Sequence, residues 1–107
     1  MSKENPSYNF NSIGIGQLDT LDKSLRVRGY ETRSPPFESH PQGKRMLSLP
    51  FFCFSGSLSI KNLMLSWWEQ GDSYCGIISM HANVEEASKL VESLSSDAYI
   101  KFEEVAR

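Results

Sequence analysis

Thiols, imidazoles and paired carboxylates are the side chains in this sequence that could do chemistry. Nucleophilic catalysis needs a base beside the nucleophile. The available combinations are Cys53 or Cys75 with His40 or His81. Cys75 and His81 fall on one predicted strand, about 20 Å apart at ~3.3 Å per residue, so they share a face without touching. A meeting of Cys53 with His81 across strands has no other support in the sequence. Carboxylate pairs could supply an acid and a base for hydrolysis, and Glu85/Glu86 and Glu103/Glu104 are the two on offer. The first pair is explained by helix capping. The second sits near the chain end, where solvent reaches it. Neither has the pattern of a buried acid with a shifted pKa.

No second Cys or His stands at the spacing of a metal site. Gly14-Ile15-Gly16 opens like a phosphate loop, but Asp19 takes the place of the third glycine and would repel phosphate. The expectation is therefore a protein that is not an enzyme and holds no metal or cofactor. Arg26, Arg28 and Tyr30, with Arg33, Lys44 and Arg45 nearby, could form a small platform for single-stranded nucleic acid. The charge balance argues against a strong footprint. Residues 1–56 hold seven Lys/Arg against five Asp/Glu, whereas residues 57–107 hold four against eight, for a net charge of −2.

Several elements must position these groups. Ile60, Leu63, Met64, Trp67 and Trp68 follow an i, i+3, i+4, i+7, i+8 spacing, which predicts an amphipathic helix over about 57–70. Ser57 or Ser59 would cap it and Gly71 would end it. Trp67 is expected inside and Trp68 at the rim. Asn83-Val84-Glu85-Glu86 is a capping box that opens a second helix over about 84–94, with Val84, Ala87, Leu90, Val91 and Leu94 as its buried stripe.

Tyr8 to Ile15 alternates with a one-residue shift, which predicts a strand bulged near Asn11–Ser12. Residues 17–32 combine a helical Leu18, Leu21, Leu25 spacing with the alternation of Leu25 to Tyr30, and read as a short helix running into a strand. Asp19 or Thr20 would cap that helix and Gly29 would stop it. Met46 to Phe54 and Tyr74 to Met80 are apolar strands. Pro50 places a bulge or an unpaired edge position in the first of them. Ala98 to Val105 is the last strand.

The whole predicts an α+β fold: one compact domain with a mixed sheet of four to five strands, two amphipathic helices on one face, and a C-terminal strand–helix–strand unit. Residues 1–7 read as a flexible end and 8–107 as the domain. Residues 33–45 form a Pro-rich loop carrying Phe37 and His40.

At 107 residues with 39% apolar and 22% charged side chains, the chain can bury a real core without staples. The N-terminus lacks the apolar stretch of a secretion signal, and no run is long enough to cross a membrane, so the expected location is cytoplasmic, with Cys53 and Cys75 reduced. By elimination, the expected function is that of a small protein-binding inhibitor that occludes its target, as immunity proteins and antitoxins do. Its partner would be one toxin or enzyme bound at an equimolar ratio, plausibly a nuclease, with the chain itself a monomer or weak homodimer and no direct nucleic-acid or membrane contact. The anchors would be Phe37, Trp68 and Tyr99. Glu69, Asp72, Asp97, Glu103 and Glu104 would imitate phosphates. The alternative is a small-molecule-binding or regulatory domain with an apolar pocket near Phe51, Phe52, Phe54 and Trp67.

Overall fold

The computed structural model describes residues 5–32, 47–54, 60 and 62–105. The Pro-rich loop with Phe37 and His40, and the cap candidates Ser57 and Ser59, lie outside these described residues. The elements are β1 (Ser7–Ile13), α1 (Ile15–Val27), β2 (Tyr30–Thr32), β3 (Leu47–Cys53), β4 (Asn62–Gln70), β5 (Ser73–Met80), α2 (Val84–Ala98) and β6 (Phe102–Glu104). The α+β class stands. The sheet has six strands rather than four or five, in the order β2-β3-β4-β5-β1-β6, and every neighbouring pair is antiparallel, so it is not mixed.

The largest correction concerns residues 57–70. The expected helix is strand β4. Leu63, Leu65 and Trp67 are buried on one face, while Met64, Ser66 and Trp68 alternate with them on the other. The helical stripe omitted Leu65, which is fully buried and carries the strand period. Gly71, at φ 66°, is not a helix end. It is the first residue of the two-residue Gly71-Asp72 loop between the paired Gln70 and Ser73, where a left-handed φ matches the twist of the hairpin. Trp67 is buried and Trp68 half-buried, as expected, but a strand separates them by sending them to opposite faces.

The second amphipathic helix is instead α1. Leu18, Leu21 and Leu25 are its buried stripe. It starts earlier than Asp19 or Thr20: Gly14 is the N-cap, and its N–H donates to Gln17 Oε1 at 2.8 Å. Gly29 ends it at φ 98°, and the chain turns at once into β2. The capping box of α2 is as predicted, with the Glu86 N–H donating to Asn83 Oδ1 at 2.8 Å. That helix runs past 94 to Ala98, which shortens the last strand to three residues.

The bulge in β1 is where the alternation shifts, between Phe10 and Ile13, with Ser12 at φ 56°. Pro50 sits in β3 without a register shift, opposite Met64. The described pairing of β2 stops at Phe51, so Pro50 falls where β3 has no described neighbour on that edge. Pro6 is buried and its carbonyl accepts the Met80 N–H at 3.2 Å.

The strand–helix–strand tail is β5-α2-β6. Because β1 is antiparallel to both strands and lies between them, β5 and β6 run parallel with one strand interposed. The helices pack on each other, and their apolar stripes join one face of the sheet in a single core that includes Phe10, Leu49, Phe51, Leu65, Trp67 and Ile78. Side chains such as these stabilise by roughly 1.5–3 kcal/mol each on full burial.

Candidate functional site

Three regions remain for a site, because among the described residues the helices cover only one face of the sheet. The first is the outer face. The register places Ser48, Pro50 and Phe52 of β3 there, beside Asn62, Met64, Ser66, Trp68 and Gln70 of β4. It continues through Ser73, Cys75, Ile77 and Ser79 of β5 to Ser7 and Asn9 of β1. Trp68 lies opposite Cys75, Met64 opposite Ser79, and Ser66 opposite Ile77. The Ser48 and Ser66 hydroxyls are hydrogen-bonded at 2.8 Å. None of these outward residues on the four central strands is charged. Among the described residues of the strands, outward charges stand on the edge strands, at Glu31 of β2 and Glu103 of β6.

The second region is the end of the sheet at the β4–β5 hairpin. Glu69 faces Tyr74, Tyr74 faces Ile13, and Asp72 is exposed in the loop itself. Gly14 follows Ile13 and opens α1. Gln17 of that first turn accepts from Gly14 and donates from Nε2 to the Tyr99 carbonyl at 3.0 Å. One amide side chain therefore ties the start of α1 to the end of α2. Tyr99 is held there at φ 56° and is 88% exposed, and Ile15, two residues before Gln17 at the start of α1, is 42% exposed. The left-handed region costs a bulky residue roughly 1–2 kcal/mol, and glycine is the usual occupant of a helix end of this kind.

The residues expected to bind a partner are thus divided. Glu69, Asp72 and Tyr99 come to the hairpin end. Trp68 is on the outer face. Glu103 and Glu104 point to opposite sides of edge strand β6, opposite Asn9 and Tyr8. Asp97 is engaged with Arg28, whose NH2 group lies 2.7 Å from Asp97 Oδ2 and also contacts Ser93 Oγ. Phe37 lies outside the described residues. The carboxylates do not converge on one cluster, and among the described residues no group of three or more His, Cys, Asp or Glu could hold a metal ion. Ile15 is expected at the end of the first strand; the strand stops at Ile13 and Ile15 is instead the first residue of α1. Met64 is expected in a helical stripe and Phe52 beside an apolar pocket; the face they share with Ile77 appears only with the strand period.

The described half of the basic platform is overturned, and Arg33, Lys44 and Arg45 lie outside the described residues. Arg26 and Arg28 sit at the end of α1 rather than on a strand, and both are neutralised. Arg26 Nε donates to Asp22 Oδ2 at 2.9 Å and its NH1 to Glu31 Oε2 at 3.3 Å. Tyr30 is buried, and burial, with smaller contributions from Cys53 and Glu86, pushes its phenol up to about 12. It cannot stack on a base. Cys53 is half-buried, Cys75 is buried, and the two do not form a disulfide with each other. His81 Nδ1 is 2.8 Å from Asn5 Oδ1.

The third region is a groove of about 380 Å³ at the other end of the sheet, lined by Phe51, Phe52, Met64, Asn62, Asn5 and His81 among others. It includes two of the residues expected around an apolar pocket, Phe51 and Phe52, and neither Phe54 nor Trp67. No described helix is long and apolar enough to cross a membrane. Comparison with protein-family models, with curated proteins and with solved structures gives no match for this chain.

Proposed function

We propose that the chain is a small protein-binding inhibitor that acts by covering its target, in the manner of immunity proteins and antitoxins. The observation that carries this reading is Tyr99, an aromatic ring held in a strained conformation almost wholly in solvent. The backbone turn at Tyr99 closes α2 on the Ser95 carbonyl, but the exposed ring contributes little to folding, so the fold itself gives no reason for a tyrosine rather than a glycine at this position. Tyrosine is a frequent anchor at protein interfaces, where it fills a pocket on the partner. Ile15, in the same first turn of α1 as the Gln17 that holds the Tyr99 carbonyl, adds exposed apolar area. Glu69 and Asp72 make this end acidic, which suits a basic target such as the nucleic-acid groove of a nuclease and would speed encounter with it.

Affinity capture with tagged chain from its own cell lysate tests the reading. One protein retained in equimolar amount through a salt wash, and lost with Tyr99→Gly and Asp72→Asn, is the expected result. Retention of no protein, or equal retention by both variants, overturns it.

The groove beside Phe52 supports a second reading, a domain that binds a small molecule. Its volume falls in the range of ligand pockets, and Asn5, Asn62 and His81 supply polar groups against an apolar wall. Saturable shifts of the Met64 and Met80 methyl resonances with a metabolite, in the absence of any protein, would favour it.

A further inference from the structure

We propose that the outer face of the sheet packs against the same face of a second copy of this chain. The chain carries 11 Lys/Arg and 13 Asp/Glu, yet the outward positions of β3, β4, β5 and β1 hold none of them. A sheet face left to solvent alternates polar and charged residues outward. Here its centre holds Met64, Trp68 and Ile77 with Phe52 alongside, and Glu31 and Glu103 stand at the two edges. Depletion of charge at the centre with a charged rim is the anatomy of an interface.

The same distribution selects the occupant. Around a two-fold axis each residue of the face meets its own copy or a near neighbour, so any charge there would oppose a like charge. A neutral face avoids that opposition. A strongly acidic or basic target would find no counter-charge on it. Two such faces can stack about 10 Å apart, as sheets do in a sandwich, with serine and asparagine side chains supplying hydrogen bonds between them. Met64, 39% exposed, would be the main contact, with the open part of Trp68, most of which is already covered within its own chain, beside it. This face is separate from the Tyr99 end, so the dimer and the inhibitor reading stand or fall independently.

Sedimentation equilibrium of the full chain across the micromolar range tests the proposal. The expected mass rises from 12.1 kDa to twice that value with concentration. Ile77→Lys and Met64→Lys place a cation on the face at half-buried and exposed positions that leave the core intact. Each is expected to keep the fold by circular dichroism and to weaken association at least about tenfold. Tyr99→Gly is expected to dimerise as the parent does. A parent chain that stays monomeric overturns the proposal, whether Trp68 is then covered by other residues of its own chain or by a different protein. A dimer that persists in both lysine variants also overturns it. Should Ile77→Lys fail to fold, Met64→Lys decides.

Discussion

The ring of Phe10 lies over Gly76. The two residues are opposite each other in the β1–β5 pair, and a Cβ at position 76 would overlap both the Phe10 ring and the Ser66 carbonyl on the other side. Phe10 is fully buried and also meets Phe102 edge-on, with ring centroids 5.8 Å apart. The ring therefore has no room to withdraw. Gly76→Ala is expected to cost about 3 kcal/mol or more, at the upper end of overpacking in well-packed cores. Urea denaturation measures it, and a cost under about 1 kcal/mol would mean that Phe10 can move aside.

The adjacent tryptophans differ in what they cover. Trp67 is 2% exposed in the core, opposite Gly76 and Leu47, whereas Trp68 stands on the outer face. Trp67→Ala is expected to destabilise the monomer by about 3–5 kcal/mol. Trp68→Ala is expected to cost about 1 kcal/mol at concentrations too low for association. Similar losses from the two substitutions would contradict the assignment of Trp68 to an unburied face.

The same pair shows what could be read from the sequence. Over residues 60 to 68, five apolar side chains fit one face of a helix and three fit one face of a strand, so the local count favours the wrong element. The arbiter is partnership. Leu65 is buried because Leu49 and Ile78 flank it across the sheet, and those pairings are long-range. Signals written locally were legible: Asn83 and Glu86 at the start of α2, Gly29 at the end of α1, and the slipped alternation of β1. Tyr99 was legible as a candidate anchor by type alone. Its strained exposure was not, because α2 had to extend past Ser95 to place it at a helix end. The pairing of Asp97 with Arg28 depends on the packing of α1 against α2, for which the sequence carries no spacing rule.

Arg26 and Arg28 make ion pairs of unequal worth. The Asp22 side chain is only 8% exposed, while that of Asp97 is 43% exposed. Removing Arg26 leaves a buried carboxylate without its cation, a loss of about 2–3 kcal/mol once partial solvent access at Arg26 is allowed for. Removing Arg28 opens a solvated pair worth about 0.5–1 kcal/mol. Arg26→Ala is therefore expected to be the more damaging substitution. Adding Asp22→Asn to Arg26→Ala should recover part of the loss, because the neutral amide no longer carries a stranded charge. Equal effects of the two arginine substitutions in thermal melts would refute this ranking.

Tyr30 gives the fold an alkaline limit. Its phenol ionises at about 12 in the folded chain, held up first by burial and then by Cys53 and Glu86, against an ordinary value of 10.0. A group whose folded pKa is raised favours the fold fully below its unfolded pKa and loses that contribution as pH climbs through the folded one. Stability should thus be level below pH ~10 with respect to Tyr30 and fall between pH ~10 and ~12. Tyr8 adds to the same trend, since burial and the nearby Glu104 also raise it. Tyr30→Phe removes the larger of the two groups. Its stability should fall less steeply over that window than the parent's, and the late step of tyrosinate absorbance should vanish. An unchanged slope would show that Tyr30 is not the group that sets the alkaline limit.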